Sequence, residues 1–434
     1  MTRSLGAKIV AMVLGAGLVA ACGSDSDDGD SGTTGGKVEL SFWAWAPNIE
    51  KVLDKWNAAN PDIHVTLSRQ AGGGDIVTKL LTAHKAGNPP DLAQVEYQSL
   101  PTLVSNDVLA DIAKETGDTK GKFADGVWQQ VTLGTDAVYG IPQDAGPMML
   151  YYRTDLFQQH GLTVPKTWEE FAQTARTVRT KAPKQYLTTF SAKDPGWFSG
   201  LAQQAGAAWW GVDGDAWKVN INDAATKKVA DYWGGLVSEG AIDDQPMYTP
   251  EWNKALNDGT LLAWPSAIWG PGVLEGNAPD TKGKWAMAPL PQWTAGESKT
   301  GNWGGSSTGV TAKSKNQSAA VKFATWMNTD AAATEVLIRE CSIYPAARDA
   351  QASPALSQPP AFFPAQADFY AQAKQIAEGA AGVTWGPNVN VTYQVYQDAF
   401  GKAITQKSPF GAAVDQMQSA TVADMQKNGF KVAS

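Results

Sequence analysis

Cysteine and histidine are almost missing from this chain of 434 residues, which has two of the first and three of the second. Two thiols cannot build a disulfide framework, so the fold must hold by packing. His64, His84 and His160 are scattered, and neither an H-E-x-x-H spacing, a G-x-S-x-G elbow nor a phosphate loop occurs. The stretch "AGGGD" lacks the Lys and Ser/Thr of a P-loop and reads as a helix entry. Basic clusters are lacking as well: 35 Lys and Arg face 43 Asp and Glu, a net charge of -8, which argues against nucleic acid as a partner. Beyond the N-terminus no apolar run reaches the roughly 20 residues that cross a bilayer. No metal and no cofactor are expected.

What is present starts with Arg3 and Lys8 beside a short apolar run over residues 9–21, the layout of a secretory signal peptide. It ends in "VAAC", which resembles the bacterial lipobox, and the resemblance implies that Cys22 becomes the lipidated first residue of the mature chain. Residues 22–36, with Asp25, Asp27, Asp28 and Asp30 among Ser and Gly, can bury nothing and read as a flexible linker. The expected state is an exported, soluble body held to the outer face of the cell membrane by lipid alone. Cys341 is then left without an intramolecular partner and reads as a small buried apolar residue in the helix "AAATEVLIREC".

Eighteen tryptophans stand out. Many lie beside Gly or Pro, as in "FWAWAP", "DPGWFSG", "AIWGPG", "GNWGG" and "TWGPN", which are loop contexts. Trp is rarely buried completely, so several rings are expected to be accessible, each presenting a flat apolar face. A sugar ring, apolar on its C–H face and ringed by hydroxyls, is the natural complement. The competing reading of any single tryptophan is a core residue.

From Lys37 the pattern alternates. Strands are expected at "KVELSFWAW", "IHVTLSRQ" and "PDLAQVEY", and helices at "NIEKVLDKWNAAN", "DIVTKLLTAHKAG" and "LPTLVSNDVLADIA". This order predicts a parallel sheet covered by helices, whose ligands bind beyond the carboxyl ends of the strands. Trp43, Trp45, Gln70, Glu96 and Tyr97 would share that rim. Further on, Thr167 and Glu170 form a capping box, and Leu156 and Phe157 sit on a short helix closed by Gly161.

The segments "YGIPQD", "LYYRTDLFQQHGL", "PKTWEEF", "DGTLLAWPSAIWGPG" and "GNWGGSSTGVTAKSKNQSAAVKFATWM" follow in order. They resemble the extracellular solute-binding proteins of ABC importers, in the sugar-binding, maltose-binding-protein-like group. The resemblance implies an α/β, two-lobed periplasmic-binding-protein-like fold, each lobe a mainly parallel sheet flanked by helices, with the ligand in the cleft between them. Residues 37–145 with 305–348 would form the first lobe, and 146–304 with 349–434 the second. It also implies a monomer without catalytic activity that delivers a di- or oligosaccharide to permease subunits in the membrane.

Family contacts transfer where the local pattern matches: Glu96, Tyr97 and Gln98 after "PDLAQV", Asp144 at the first crossing, Asp194 and Trp197 in "KDPGWF", and Trp269 as a stacking ring. Trp303, Gly304, Arg348, Trp385 and Tyr393 lie in further cleft loops. The maltose-binding relative has an acid and an arginine where this chain has Gln98 and Ser99, so the hydroxyl pattern read must differ. Two other readings stay open: an amino sugar or polyamine held by carboxylates and cation–π contacts, and a secreted glycoside hydrolase using Asp144 and Asp194 as its pair.

Overall fold

The computed structural model describes residues 37–433 except 215 and 381; the signal peptide, Cys22 and the linker lie outside the described residues. Ten strands are present among them: β1 Val38–Ala44, β2 Ile63–Arg69, β3 Leu92–Glu96, β4 Ile141–Pro142, β5 Met148–Arg153, β6 Trp210–Asp213, β7 Ala216–Val219, β8 Ala263–Ala267, β9 Trp285–Pro289 and β10 Ser306–Val310.

In β1, alternation buries Leu40, Phe42 and Ala44 on one face. The helix Glu50–Ala59 turns Val52, Leu53 and Trp56 toward the same core and stops at Asn60, whose side-chain amide donates to the Trp56 carbonyl at 3.0 Å before Pro61. The helix Gly74–Ala86 ends at Gly87 in the left-handed conformation, φ 83°. β1 pairs in parallel with β2 and β3, and the sheet order is β2-β1-β3-β10-β4. The expected helix over "LPTLVSNDVLADIA" is cut short at Val104. Ser105 and Asn106 both donate side-chain bonds to the Thr102 carbonyl, at 3.1 and 2.9 Å, and Asp107 takes φ 56°. Such short polar side chains compete with the helix for its own carbonyls.

The mainly parallel expectation needs correction. β10 arrives from the other lobe and so runs antiparallel to β3 and β4. The second sheet, β8-β5-β9, is antiparallel throughout. β5 leaves the crossing at residues 143–147 and fills the middle place, while β8 and β9 return toward that crossing on either side of it. The result is mixed α/β in two lobes.

Most tryptophans are core residues. Around the second sheet, Trp197 and Trp233 meet at 4.9 Å, Trp168 and Trp233 at 5.7 Å, and Phe190 and Phe410 at 4.8 Å. Where the helix Pro195–Gln204 crosses the segment leading to β10, the backbones nearly touch. A Cβ on Gly301 would lie 1.8 Å from the Gly200 carbonyl oxygen, so only glycine fits there. Thr167 caps the helix Trp168–Lys181 by accepting from the Glu170 N–H at 3.1 Å. The Glu170 carboxylate returns its bond one residue further back, to the Lys166 N–H. Gly161 closes the short helix that carries Leu156 and Phe157. Cys341 is buried and free.

Candidate functional site

Three chain segments pass between the sheets, near residues 144–147, 302–306 and 344–348, and the first is bonded to both others, the Ala346 N–H donating to the Gln143 carbonyl at 3.0 Å. Asp144 Oδ1 accepts from both the backbone N–H and the hydroxyl of Ser306 at 2.6 Å, and the Trp303 N–H donates to the Gly146 carbonyl at 2.8 Å. Above this joint lies a cleft of about 970 Å3. Glu96 at the end of β3, Gln98 two residues on and Trp45 just past β1 line one side, as the carboxyl-end rule requires. The loop Gly72–Gly74 follows β2, and a Cβ on Gly72 would come within 3.1 Å of the Trp45 ring, so glycine lets backbone lie against that indole. Opposite stand Asp194 at the start of the helix Pro195–Gln204, Trp269 where β8 turns into the helix Gly270–Asn277, and Tyr393 on the helix Val389–Gln406.

The structure therefore brings nine of the expected residues to one cavity: Trp45, Glu96, Gln98, Asp144, Asp194, Trp269, Trp303, Gly304 and Tyr393. Six others face elsewhere. Trp43 stays half-buried within β1, and the Gln70 amide is engaged by Ser68 and Lys79. Tyr97 is buried and donates its hydroxyl to the Asp144 carbonyl at 3.0 Å, which makes it a support of the joint. Trp197 is fully buried with its indole N–H on the Pro265 carbonyl at 2.9 Å, packed in the aromatic core against Trp233. Arg348 is exposed, and Trp385 is buried against Trp210 at 6.2 Å.

Sequence reasoning missed Lys193 and Tyr248. Lys193 is the single cation among the described lining residues. Tyr248 completes an aromatic corner: its ring is 6.3 Å from Trp303, which meets Trp269 edge-on at 4.7 Å and 72°. The Trp269 indole N–H is fixed on the Trp303 carbonyl at 2.9 Å. The turn signal Thr249-Pro250 immediately follows Tyr248 and could have marked that loop.

Three carboxylates face this corner. Burial, with the Asp144 charge second, pushes the Glu96 carboxyl up to about 7. Burial also lifts Asp144 to about 6 against the bonds from Ser306, and Asp194 to about 6 against the bond from Ser191. Among the described residues none donates a side-chain hydrogen bond to Glu96, so its acceptor capacity is open toward the cavity. Such a site offers flat apolar faces and charged acceptors, the means to hold a molecule rich in hydrogen-bond donors.

The family of bacterial extracellular solute-binding proteins matches residues 45–334. An arabinooligosaccharide-binding protein of Bacillus subtilis is 26% identical over 330 residues, covering 73% of this chain and 74% of the relative. A lactose-binding protein of Rhizobium radiobacter is 27% identical over 310 residues, covering 66% and 69%. Among solved structures, the galacto-N-biose/lacto-N-biose I-binding protein of Bifidobacterium longum, in complex with lacto-N-biose, superposes with a TM-score of 0.81 at 27% identity, covering 94% of this chain and 100% of that one. An ABC transporter associated binding protein of B. animalis subsp. lactis, in complex with beta-1,6-galactobiose, gives 0.83 at 25%, covering 92% and 100%.

Whatever fills the cleft, its acids contribute a pH-dependent part of the empty protein's stability. With Glu96 near 7 and Asp144 and Asp194 near 6, against ordinary values of 4.5 and 3.8, the folded chain binds more protons than the unfolded one between about pH 4.5 and 7. Stability therefore falls as pH rises through that window. Each unit of upward shift corresponds to about 1.4 kcal/mol. Ligand-free protein should melt higher at pH 5.5 than at pH 8 by differential scanning calorimetry, and Glu96→Gln should flatten the difference; a higher melting point at pH 8 would contradict the assignment.

Proposed function

The chain belongs to the bacterial extracellular solute-binding protein family, and from that premise we propose that it captures a short oligosaccharide outside the cytoplasm and passes it to the membrane subunits of an ABC importer. Members of this family work outside the cytoplasm, and the relatives named above bind sugars. One observation carries the reading: the Trp269–Trp303 corner opposes the unbonded Glu96 carboxylate across one cavity. A sugar ring would stack on the indoles while its hydroxyls donate to the acids. Asp144 is already committed to Ser306, which speaks for binding rather than hydrolysis. The excess of acids over Lys193 favours, as a second reading, an amino sugar or polyamine in the same cleft.

A thermal-shift panel of neutral oligosaccharides, amino sugars and polyamines separates the two readings, since a ligand at 100 times its dissociation constant adds about 2.7 kcal/mol. With the ligand so identified, Trp269→Ala should weaken binding by about 2–4 kcal/mol in calorimetric titration, about thirtyfold or more. A large fall in the melting point of the empty protein with unchanged affinity would instead mark Trp269 as a core residue.

The reading includes a hinge. Residues 37–145 with 305–348 and residues 146–304 with 349–434 would move as two lobes about the joined segments near Asp144 and Ser306. Small-angle scattering should register a smaller radius of gyration at ligand saturation, and an unchanged radius would count against closure. The chain would act as a monomer tethered through a lipid on Cys22, a reading that rests on "VAAC" alone. Metabolic labelling with a radioactive fatty acid should mark the wild type and spare Cys22→Ser; equal incorporation would end the idea.

A further inference from the structure

Among the described residues only two large apolar side chains stand exposed, Val212 and Tyr248, at 62% and 43%. Val212 lies on the β6–β7 hairpin, whereas Tyr248 lines the cleft. Tyr248 also holds φ 63°, in the left-handed region that a bulky residue enters only under strain. Glycine would take the same turn freely. The surroundings enforce the conformation from both sides: the Thr189 hydroxyl holds the Gln245 carbonyl at 2.7 Å, the Met247 N–H reaches the Ser191 hydroxyl at 3.3 Å, and Thr249 begins the helix Pro250–Asp258 as its cap. Trp252 lies beneath the ring at 5.2 Å and Trp264 at 6.4 Å.

A side chain that is exposed adds little to the core, and a backbone that is strained subtracts from stability. Strain retained where a cavity wall is formed points to a use in that cavity. The position shows what that use is. Tyr248 forms the third side of the corner made by Trp269 and Trp303, and the burial of its hydroxyl end, with the charges of Asp194 and Glu96 second, keeps the proton in place. Beside the carboxylates of Glu96, Asp144 and Asp194 that hydroxyl is a donor, and it is the donor set at the Trp269–Trp303 corner. It can reach the oxygens that a sugar offers as acceptors, the ring oxygen, the bridging oxygen or an acetamido carbonyl.

We propose that Tyr248 is the specificity-determining residue of the aromatic corner, its ring closing the subsite edge and its hydroxyl reading an acceptor oxygen of the bound sugar, at the expense of backbone strain. The inference rests on the oligosaccharide reading of the cleft and adds to it which residue discriminates among sugars. Loss of the hydroxyl alone should flatten selectivity, because a site that hydrogen-bonds a particular substrate group discriminates chiefly through that group.

The test compares Tyr248→Gly and Tyr248→Phe with wild type, using the neutral oligosaccharide that most stabilises the wild type together with the rest of the panel. Tyr248→Gly should melt at or above wild type when empty, yet bind that sugar at least tenfold more weakly. Tyr248→Phe should keep the melting point, lose roughly fivefold in affinity, and bring the panel's affinities closer together. Affinity within twofold of wild type in both variants, or weakened binding by Tyr248→Phe with the spread of affinities among the sugars unchanged, overturns the proposal. Those outcomes leave the oligosaccharide reading standing, because wild type still binds. A wild type that no sugar in the panel stabilises removes that reading and the proposal with it.

Discussion

Asp144 and Ser306 join two of the segments that pass between the sheets. One carboxylate oxygen takes two hydrogen bonds from Ser306, the Gln143 N–H donates to the Ser306 carbonyl at 2.9 Å, and the Tyr97 hydroxyl fixes the Asp144 carbonyl from behind. With the Ala346 N–H on the Gln143 carbonyl at 3.0 Å, the three crossing segments are bonded into one short joint. Glycine surrounds it for steric reasons: a Cβ on Gly146 would lie 2.3 Å from the Trp303 carbonyl oxygen, and Gly304 and Gly305 hold φ 76° and 88°. Because Ser306 is also the residue that pairs with Glu96, the joint and the floor of the cleft are one structure. Anything that grips Glu96 and Trp303 together acts directly on the segments about which the lobes would turn.

That coincidence explains why the acids differ in their commitments. Asp144 is supplied with donors by the joint, and Asp194 has the Ser191 hydroxyl, whose own neighbour, the Ser191 carbonyl, accepts from Tyr396 at 2.8 Å. Glu96 has no such supply among the described residues. A recessed carboxylate without a partner is costly, as its rise to about 7 records, and the cost is relieved by whatever brings donors. A ligand that stacks on the indoles and brings donors to Glu96 would therefore be favoured twice.

Much of this was legible in the sequence because it is local. Period-two and period-3.6 patterns give β1 through β3 and their helices, and the carboxyl-end rule leads from those strands to Trp45 and Glu96. What failed depends on distant partners. "SND" breaks a helix that the apolar spacing of Leu100 to Ile112 favours, since the pattern does not weigh side chains that take carbonyls for themselves. The antiparallel second sheet follows from β5 occupying the centre, which no property of "MMLYY" announces. Trp197 and Asp194 are neighbours in sequence but have different surroundings, because Asp194 stands before the helix with non-helical backbone (φ -118°, ψ 72°) while Trp197 is held inside the helix on a face that meets the core. The left-handed backbone of Tyr248 has no signature at all, being imposed by the loop and helix on either side.

The abundance of tryptophan has a second meaning once most of the rings are placed in the core. Trp264 is fully buried and stands behind Trp269 at 5.9 Å and Trp303 at 6.3 Å, while Trp252, also fully buried, supports Tyr248. The cleft aromatics are thus the outer members of a ring cluster that is continuous with the packed interior. Rings held this way lose little freedom when a ligand arrives, so less of the contact energy is consumed in ordering them. At this corner the buried Trp264 and Trp252 fix the angle at which Trp269, Trp303 and Tyr248 would meet a ligand.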